Sequence, residues 1–546
     1  MMSEKPENID FDAYIRGERP KNFKTASGIE LKEFYTQDDV TDRREIPGTY
    51  PFTRGIHRDM YRGRFWTRRQ QTGYGTPEES NKRMKAVLSA GQTGLNIDVD
   101  VVVKLGLDPD HPLVEGDIGL VGTSISTLED MEKLFDGIPL DRVSTTLIVS
   151  PPASCVLMAM YVLLARKRGI PENGLIGTVM NDSFNQLVGP TREAEFPLFP
   201  LEGNIKIGID VMEYCIKNIP RWTILNVNAY NMRETCLRAP EEAAFAMCIA
   251  KEYIRKLLDR GFHIDEFASK IAFFTDIGMD FLEEIAKIRA MRRIWAKMLK
   301  EEFKAEKERS MWFKTAIQTS GLALTAQQPL NNIVRATIQT LAAVLAGAQS
   351  IHTTSYDEAY ALPTEEAQKL SIRIQQIIAY ETNITKVVDP LGGSYVIEWL
   401  TDKFEEEIRK LMIEIEEQGG FIECFKRGWI DERIARGRHE YARRIEEKEE
   451  FIVGLNIFED KEEKLPISIS KVYSTEMQKE RIDYVKNYKK NRDTSSVKMA
   501  LDRLYTEAKE GSNIFVSVVN AIENRATLGE ICETLRKAYD FELKIG

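Results

Sequence analysis

From about residue 92 the chain repeats one unit, a short apolar run followed by a stretch of helical periodicity. Candidate strands fall at 94–101, 117–122, 144–150, 174–180, 222–228, 270–275, 311–318 and 349–354. Amphipathic patterns fill the intervals, at 127–136, 152–168, 205–218, 238–260, 279–303, 329–348 and 362–381. Strands that alternate with helices lie parallel and are joined by right-handed crossovers. Eight such units predict a closed α/β barrel, the (β/α)8 or TIM barrel, over an open sheet.

The predicted strands are unusual in their polarity. Barrel interiors are normally filled by Val, Ile and Leu. Here "LNVNAYN" (225–231), "KTAIQTS" (314–320) and "SIHTTS" (350–355) carry Asn, Thr, Ser or Gln on one face. In "GLNIDVDVVVKLG" (94–106) the β-branched Ile97, Val99, Val101 and Val103 alternate with Asn96, Asp98 and Asp100. A period of two puts those three polar groups on one face. A buried carboxylate needs a partner. The lumen is therefore expected to hold an elongated polar ligand, with Asp98 facing it. Asp100 is equally suited to bonding buried backbone.

Composition narrows the class. The 546 residues are 43% apolar and 29% charged, with a net charge of -10, which argues against general nucleic-acid binding. No apolar run of 18 residues occurs and no secretory signal is visible, so neither a membrane span nor export is expected. Six scattered cysteines without a C-x-x-C pair fit a reduced cytoplasmic protein. Five histidines without H-E-x-x-H predict no protein metal site. Three regions are expected: an extended arm at 1–90, the barrel at 91–385, and a Lys/Glu-rich helical extension at 386–546 that packs on the barrel or a partner.

Long stretches then resemble a known family. They are "EIPGTYPFTRGIHRDMYRGRFWTRRQQTGYGTPEESNKRMKAVLSAGQTGLN" (45–96), "LFDGIPLDRVSTTLIVSPPA" (134–153), "DFLEEIAKIRAMRRIWAKM" (280–298), 324–382 and "VVDPLGGSYVIEWLTD" (387–402). Across roughly residues 30 to 455 the chain resembles the catalytic large subunit of adenosylcobalamin-dependent acyl-CoA mutases, the methylmalonyl-CoA mutase family. The resemblance implies a barrel threaded by the pantetheine arm of coenzyme A, and a radical 1,2-rearrangement begun by Co–C homolysis. The family's cobalamin domain carries D-x-H-x-x-G, and none of the five histidines here has that context; His439 sits in "RGRHEYAR". The sequence also ends too soon after the barrel for a further domain of about 130 residues. A split enzyme is expected: large subunits paired as a homodimer within a heterotetramer, and a separate small subunit carrying most of the adenosylcobalamin site.

The resemblance also assigns residues. Arg62, Arg64 and Arg69 on the arm, with Arg289 or Arg293, are expected at the coenzyme A phosphates, which suit bidentate guanidinium groups. Tyr74 joins this substrate-binding set. Glu358 is expected at the adenosyl ribose, Tyr230 near the corrin face, Thr354 beside the cofactor, and Gln318 in the acyl pocket. That pocket departs from methylmalonyl-CoA mutases. Gln71 in "RQQTGY" replaces a tyrosine, Met180 in "GTVMND" a glutamine, and Asn231 in "AYNM" the histidine that bonds the thioester carbonyl. Ala316 replaces a second histidine, and Thr354 an asparagine. The carboxylate-pairing arginine falls in 187–200, where Arg192 is the candidate.

Asp98 stands where the family has alanine, and resembles the aspartate of 2-hydroxyisobutyryl-CoA mutases that holds the substrate hydroxyl. A carboxylate accepts O–H well and repels an anion. A branched, possibly hydroxylated acyl-CoA is therefore the expected substrate. The alternatives are a catalytically silent acyl-CoA- or cobalamin-binding subunit, and a true methylmalonyl-CoA mutase subunit. An aldolase-like barrel enzyme is disfavoured, with Lys104 and Lys314 read as structural.

Overall fold

The computed structural model describes residues 23–41, 45–114, 116–185, 199–460 and 474–543. Its strands are β1 (Thr67–Arg68), β2 (Gln71–Thr72), β3 (Gly94–Asp98), β4 (Ser144–Ile148), β5 (Gly177–Val179), β6 (Trp222–Thr223), β7 (Leu225–Asn228), β8 (Ile271–Ile277), β9 (Thr315–Thr319) and β10 (Ser350–His352). They form two five-stranded sheets, β1-β10-β9-β8-β7 and β2-β3-β4-β5-β6. Every ladder is parallel, with Gln71 opposite Asn96, Asn96 opposite Thr146, and Gln318 opposite both Asp276 and His352. This is a mixed α/β fold with parallel sheets, as the alternating pattern predicts.

Two sequence expectations are corrected. Residues 117–122 form turns, with Gly119 and Val121 both at positive φ. The apolar residues of "GDIGLVG" imitate a strand, while its glycines permit the left-handed turns that replace one. Conversely, "TRRQQT" at 67–72 supplies β1 and β2 inside the stretch read as an extended arm. Four charged or amide side chains hide it from a hydrophobic-period search. Tertiary pairing holds it: Thr67 N donates to Gln349 O at 2.9 Å and Arg69 N to Ile351 O at 3.0 Å.

The helices start where their caps dictate. Thr76 and Glu79 form a capping box before Pro77–Ser89, with Pro77 in the first turn; Thr127 and Asp130 do the same for Leu128–Leu134. The outward strand residues Leu95, Ile97, Leu147, Val227, Phe273, Ile317 and Ile351 meet the helices in one continuous core.

That core extends into the C-terminal helices. Helix Ala153–Lys167 is buried at every position from Ala153 to Ala165. An all-round apolar helix must be covered on both sides. Phe515–Glu523 and Leu528–Ala538 pack over its second face. Helix Thr475–Lys490 is pinned by Arg481, whose guanidinium meets Asp130 Oδ1 at 2.8 Å and Oδ2 at 3.0 Å and also donates to Ser124 O. Both side chains are almost wholly buried. Removing one member strands the other without its counter-charge. Arg481→Met is expected to lower unfolding free energy by about 3–5 kcal/mol, measured by urea denaturation of the full chain.

Candidate active site

Side chains on one face of both sheets line a single cavity of about 180 Å³. Eight chain segments contribute, and the lining is largely polar, including Thr67, Asn96, Thr146, Thr178, Thr223 and Asn226. Strand alternation sends these groups inward and the branched apolar residues outward. Several inward atoms lack any protein partner: Asn96 Oδ1, Asn226 Oδ1, Gln318 Oε1 and His352 Nδ1. Buried polar atoms left unpaired are costly and point to a ligand that completes them.

The end of the cavity nearer the strand starts is cationic. Arg69 donates from Nη1 to Leu95 O at 2.9 Å and to Thr146 Oγ1 at 2.8 Å. Gly94 makes room for it: a Cβ there would stand 2.9 Å from the guanidinium carbon. Burial, with Arg64 nearby, pushes Arg69 down to about 10. Lys314 also lines the cavity, and burial with Arg309 lowers its amine to about 8. Arg62 and Arg64 are exposed on and just after the short helix Met60–Gly63. Tyr74 lies with its ring under Arg83, 4.6 Å from the guanidinium carbon.

At the opposite end, Asp98 closes β3 on the same face as Asn96. Its Oδ1 accepts the Val99 N–H at 2.9 Å and lies 3.0 Å from Lys104 Nζ. Asp100 leaves that face and caps the next helix, accepting from Val103 N and Gly119 N; burial pushes its carboxyl up to about 7. Gln71 is half-buried at the start of β2, opposite Asn96. Met180 walls the cavity. Asn231 donates from Nδ2 to Asn185 Oδ1 at 2.6 Å, and Asn228 donates to the same oxygen.

Gln318 donates from Nε2 to Tyr230 Oη at 2.9 Å. Burial and the neighbouring Glu234, Asp276 and Glu358 hold the Tyr230 phenol well above its usual range. A Cβ at Gly321 would stand 3.1 Å from Glu234 Oε2, 3.5 Å from Tyr230 Oη and 3.9 Å from Glu358 Cγ. These three residues thus converge on a backbone position without a side chain. Glu358 is solvent-exposed. Partial desolvation, reinforced by Asp357 and Glu234, raises its carboxyl above the usual range.

Three predicted site residues are engaged elsewhere. Arg289 is buried and spends its guanidinium on Asp389 and Glu398, each at 2.6 Å. Arg293 is likewise buried, with Asp402 at 2.6 Å and Glu405 at 3.0 Å. Both fasten helix Phe281–Glu301 to Tyr395–Glu417 and its approach; neither presents a fork to a phosphate. Thr354 is fully buried, with its hydroxyl and N–H both bonded to Thr319. Arg192 lies outside the described residues.

Sequence reasoning also missed His352 and assigned Lys314 to structure alone. Both sit on the polar strand faces that marked the lumen, so continuing the two-residue alternation from Ser350 and Ala316 finds them. Among the described residues, no group of three or more His, Cys, Asp or Glu side chains is assembled to hold a metal ion.

Fold and site together define an α/β protein whose parallel strands present polar side chains, the buried Arg69 and the half-buried Lys314 to one cavity. The profile of the methylmalonyl-CoA mutase family matches residues 24–541. The 2-hydroxyisobutanoyl-CoA mutase large subunit of Aquincola tertiaricarbonis is 38% identical over 524 residues, covering 95% of this chain and 92% of that one. The methylmalonyl-CoA mutase of Rhizobium meliloti (strain 1021) is 37% identical, covering 94% of this chain and 72% of the relative. The mitochondrial methylmalonyl-CoA mutase of Homo sapiens is 38% identical, covering 96% and 70%. The chain belongs to the methylmalonyl-CoA mutase family, whose members are isomerases acting on acyl-CoA thioesters.

The buried imidazole yields a test. Burial pushes His352 down to about 3, whereas an unfolded histidine titrates near about 6.5. Below pH of about 6.5 the unfolded chain takes up a proton that the folded one refuses. The stability present above that pH is therefore lost progressively toward about pH 3. Between pH 8 and 5 the wild type is expected to lose about 2 kcal/mol more than His352→Gln, read from urea unfolding at the two pH values.

Proposed function

We propose that this chain is the catalytic large subunit of a split adenosylcobalamin-dependent mutase that rearranges the carbon skeleton of a branched, hydroxylated acyl-CoA. The polar cavity carries the reading: a pantetheine arm offers amides and a hydroxyl to the unpartnered Asn96, Asn226 and Gln318 oxygens. The two sheets are then halves of one closed eight-stranded barrel. Support comes from both seams. Thr93 N donates to Arg68 O at 3.1 Å across one, and Asn226 N to Met180 O at 2.9 Å across the other. On this reading the barrel runs from about residue 67 to 385, with the arm before it and the helical region 386–546 around it.

Arg62, Arg64, Arg69 and Lys314 receive the nucleotide and phosphate end, with Tyr74 as a further substrate contact. Gln71 and Met180 shape the acyl pocket, and Asp98 accepts the acyl hydroxyl. Tyr230 and Gln318 fence the reacting carbons from water. Glu358, open to solvent, suits a ribose diol, since a carboxylate accepts two hydroxyls. The residues around Gly321 thus fit an adenosyl group. When bound, adenosylcobalamin supplies reversible hydrogen-atom abstraction, chemistry no side chain here provides.

The partner is a small cobalamin-binding subunit, in a heterotetramer built on a dimer of large subunits. The likeness to the Aquincola large subunit supports the small-subunit partner. Among the described residues no helix is long and apolar enough to cross a membrane, and we place the enzyme in the cytoplasm. One observation favours a second reading, a catalytically silent binding subunit: the Asn231 amide, which stands in for the carbonyl-binding histidine, is engaged with Asn185.

Reconstitution with a D-x-H-x-x-G small subunit, adenosylcobalamin and a panel of branched acyl-CoAs separates the two. Isomerisation of hydroxylated members is expected, with kcat/KM falling about 10- to 100-fold in Asp98→Ala and little change for plain acyl groups. Equal loss on all substrates refutes the pocket assignment. Tight acyl-CoA binding without a cob(II)alamin EPR signal supports the silent reading.

A further inference from the structure

We propose that Lys104 is a specificity-determining positioning residue: it locks the Asp98 side chain so that Oδ2 alone faces the acyl group as an acceptor. The inference rests on the proposed role of Asp98 and extends it to a residue that does not itself touch substrate.

The geometry separates the two oxygens of Asp98. Oδ1 takes the Val99 N–H at 2.9 Å and lies 3.0 Å from the Lys104 ammonium. Oδ2 makes no hydrogen bond with any described residue. An aspartate at a strand end otherwise has a free terminal torsion and presents either oxygen, or neither, to a ligand. Two donors on one oxygen remove that freedom before substrate arrives. A preorganised acceptor costs nothing to orient at the moment of binding.

Lys104 is itself held in place. It is the last residue of the short helix Val101–Lys104, whose N-cap is Asp100. Asp100 bonds Val103 N at 2.9 Å and Gly119 N at 2.8 Å. The two aspartates of "DVD" therefore divide the work. Asp100 fixes the helix that carries the lysine, and the lysine fixes Asp98.

The ion pair has little folding role. Both side chains keep about a fifth of their exposure, 23% for Lys104 and 20% for Asp98. Pairs this open to water contribute little to stability. Lys104 also offsets the charge of Asp98, whose Oδ2 is left without a hydrogen bond to any described residue. Such a pair suits a hydroxyl donor. A plain alkyl branch gains nothing from it, and a carboxylate meets an acceptor where it needs a donor.

The test is calorimetric binding of acyl-CoAs to the full chain, without the cobalamin subunit, so that turnover is not the readout. One ligand is a branched 2-hydroxyacyl-CoA and the other its deoxy analogue. Lys104→Met is expected to weaken the hydroxylated ligand about tenfold and the deoxy analogue less than about twofold. Lys104→Arg is expected to restore most of the preference, and the thermal midpoint of each variant to stay near wild type. Lys104→Gln serves if the Met variant does not fold. A Lys104→Met protein that keeps the hydroxyl preference, while Asp98→Asn abolishes it, overturns this inference and leaves the Asp98 reading standing. If Asp98→Asn also keeps the preference, that reading falls and the inference with it. A loss in Lys104→Met confined to a carboxylated acyl-CoA overturns it as well, because the ammonium then contacts substrate directly.

Discussion

Polar side chains meet along an axis where a protein of this architecture normally packs hydrocarbon, and the rest of the structure answers to that constraint. Desolvating hydroxyls and amides is unfavourable unless they bond. Some are satisfied within the protein: Thr146 Oγ1 accepts from Arg69 Nη1 at 2.8 Å, and Gln318 Nε2 donates to Tyr230 Oη at 2.9 Å. Others are not, and their unpaired atoms on Asn96, Asn226 and Gln318 trace the path a ligand would follow. The hydrophobic drive to fold has to come from the outward strand faces and the helices, which share one core.

Buried charge makes the strand ends rigid. Lys287, wholly inaccessible, lies 2.7 Å from Glu242, 2.5 Å from Glu284 and 2.7 Å from the Asp276 carbonyl. Arg289 and Arg293, two and six residues further along the same helix, are likewise buried in ion pairs. Pairs like these gain little net energy over apolar packing, but a partner cannot leave without exposing an unpaired charge. They hold the helices behind the site in one arrangement, in which Glu234, Tyr230 and Glu358 surround Gly321.

The C-terminal region is part of this scaffold. Its helices complete the burial of Ala153–Lys167 and reach the strand-end loops through Arg481. The match to the family over residues 24–541 covers this region too. The frame is shared with methylmalonyl-CoA mutases at 37–38% identity, and on a shared scaffold it is the residues of the site that set which ligand fits.

Period and spacing by themselves determined the alternation of strands and helices, the parallel ladders and the polarity of the inward face, because each depends on residues close in sequence. The positions of "LNVNAYN", "KTAIQTS" and "SIHTTS" on strands facing a cavity were legible for that reason. Tertiary structure decided the rest. The strand at 67–72 has no apolar period, and forms because Gln349, Ile351 and Thr93 hold its backbone. The apolar run at 117–122 turns because its glycines permit it. Arg289 and Arg293 carry the residue type that binds phosphates, and only packing reveals that Asp389, Glu398, Asp402 and Glu405 reach them first. Asp98 and Asp100 look equivalent two residues apart, yet the strand ends between them, so one closes the strand and the other caps a helix. Sequence sets which groups share a face; which partner each one meets depends on residues distant in the chain, and only the folded arrangement brings those together.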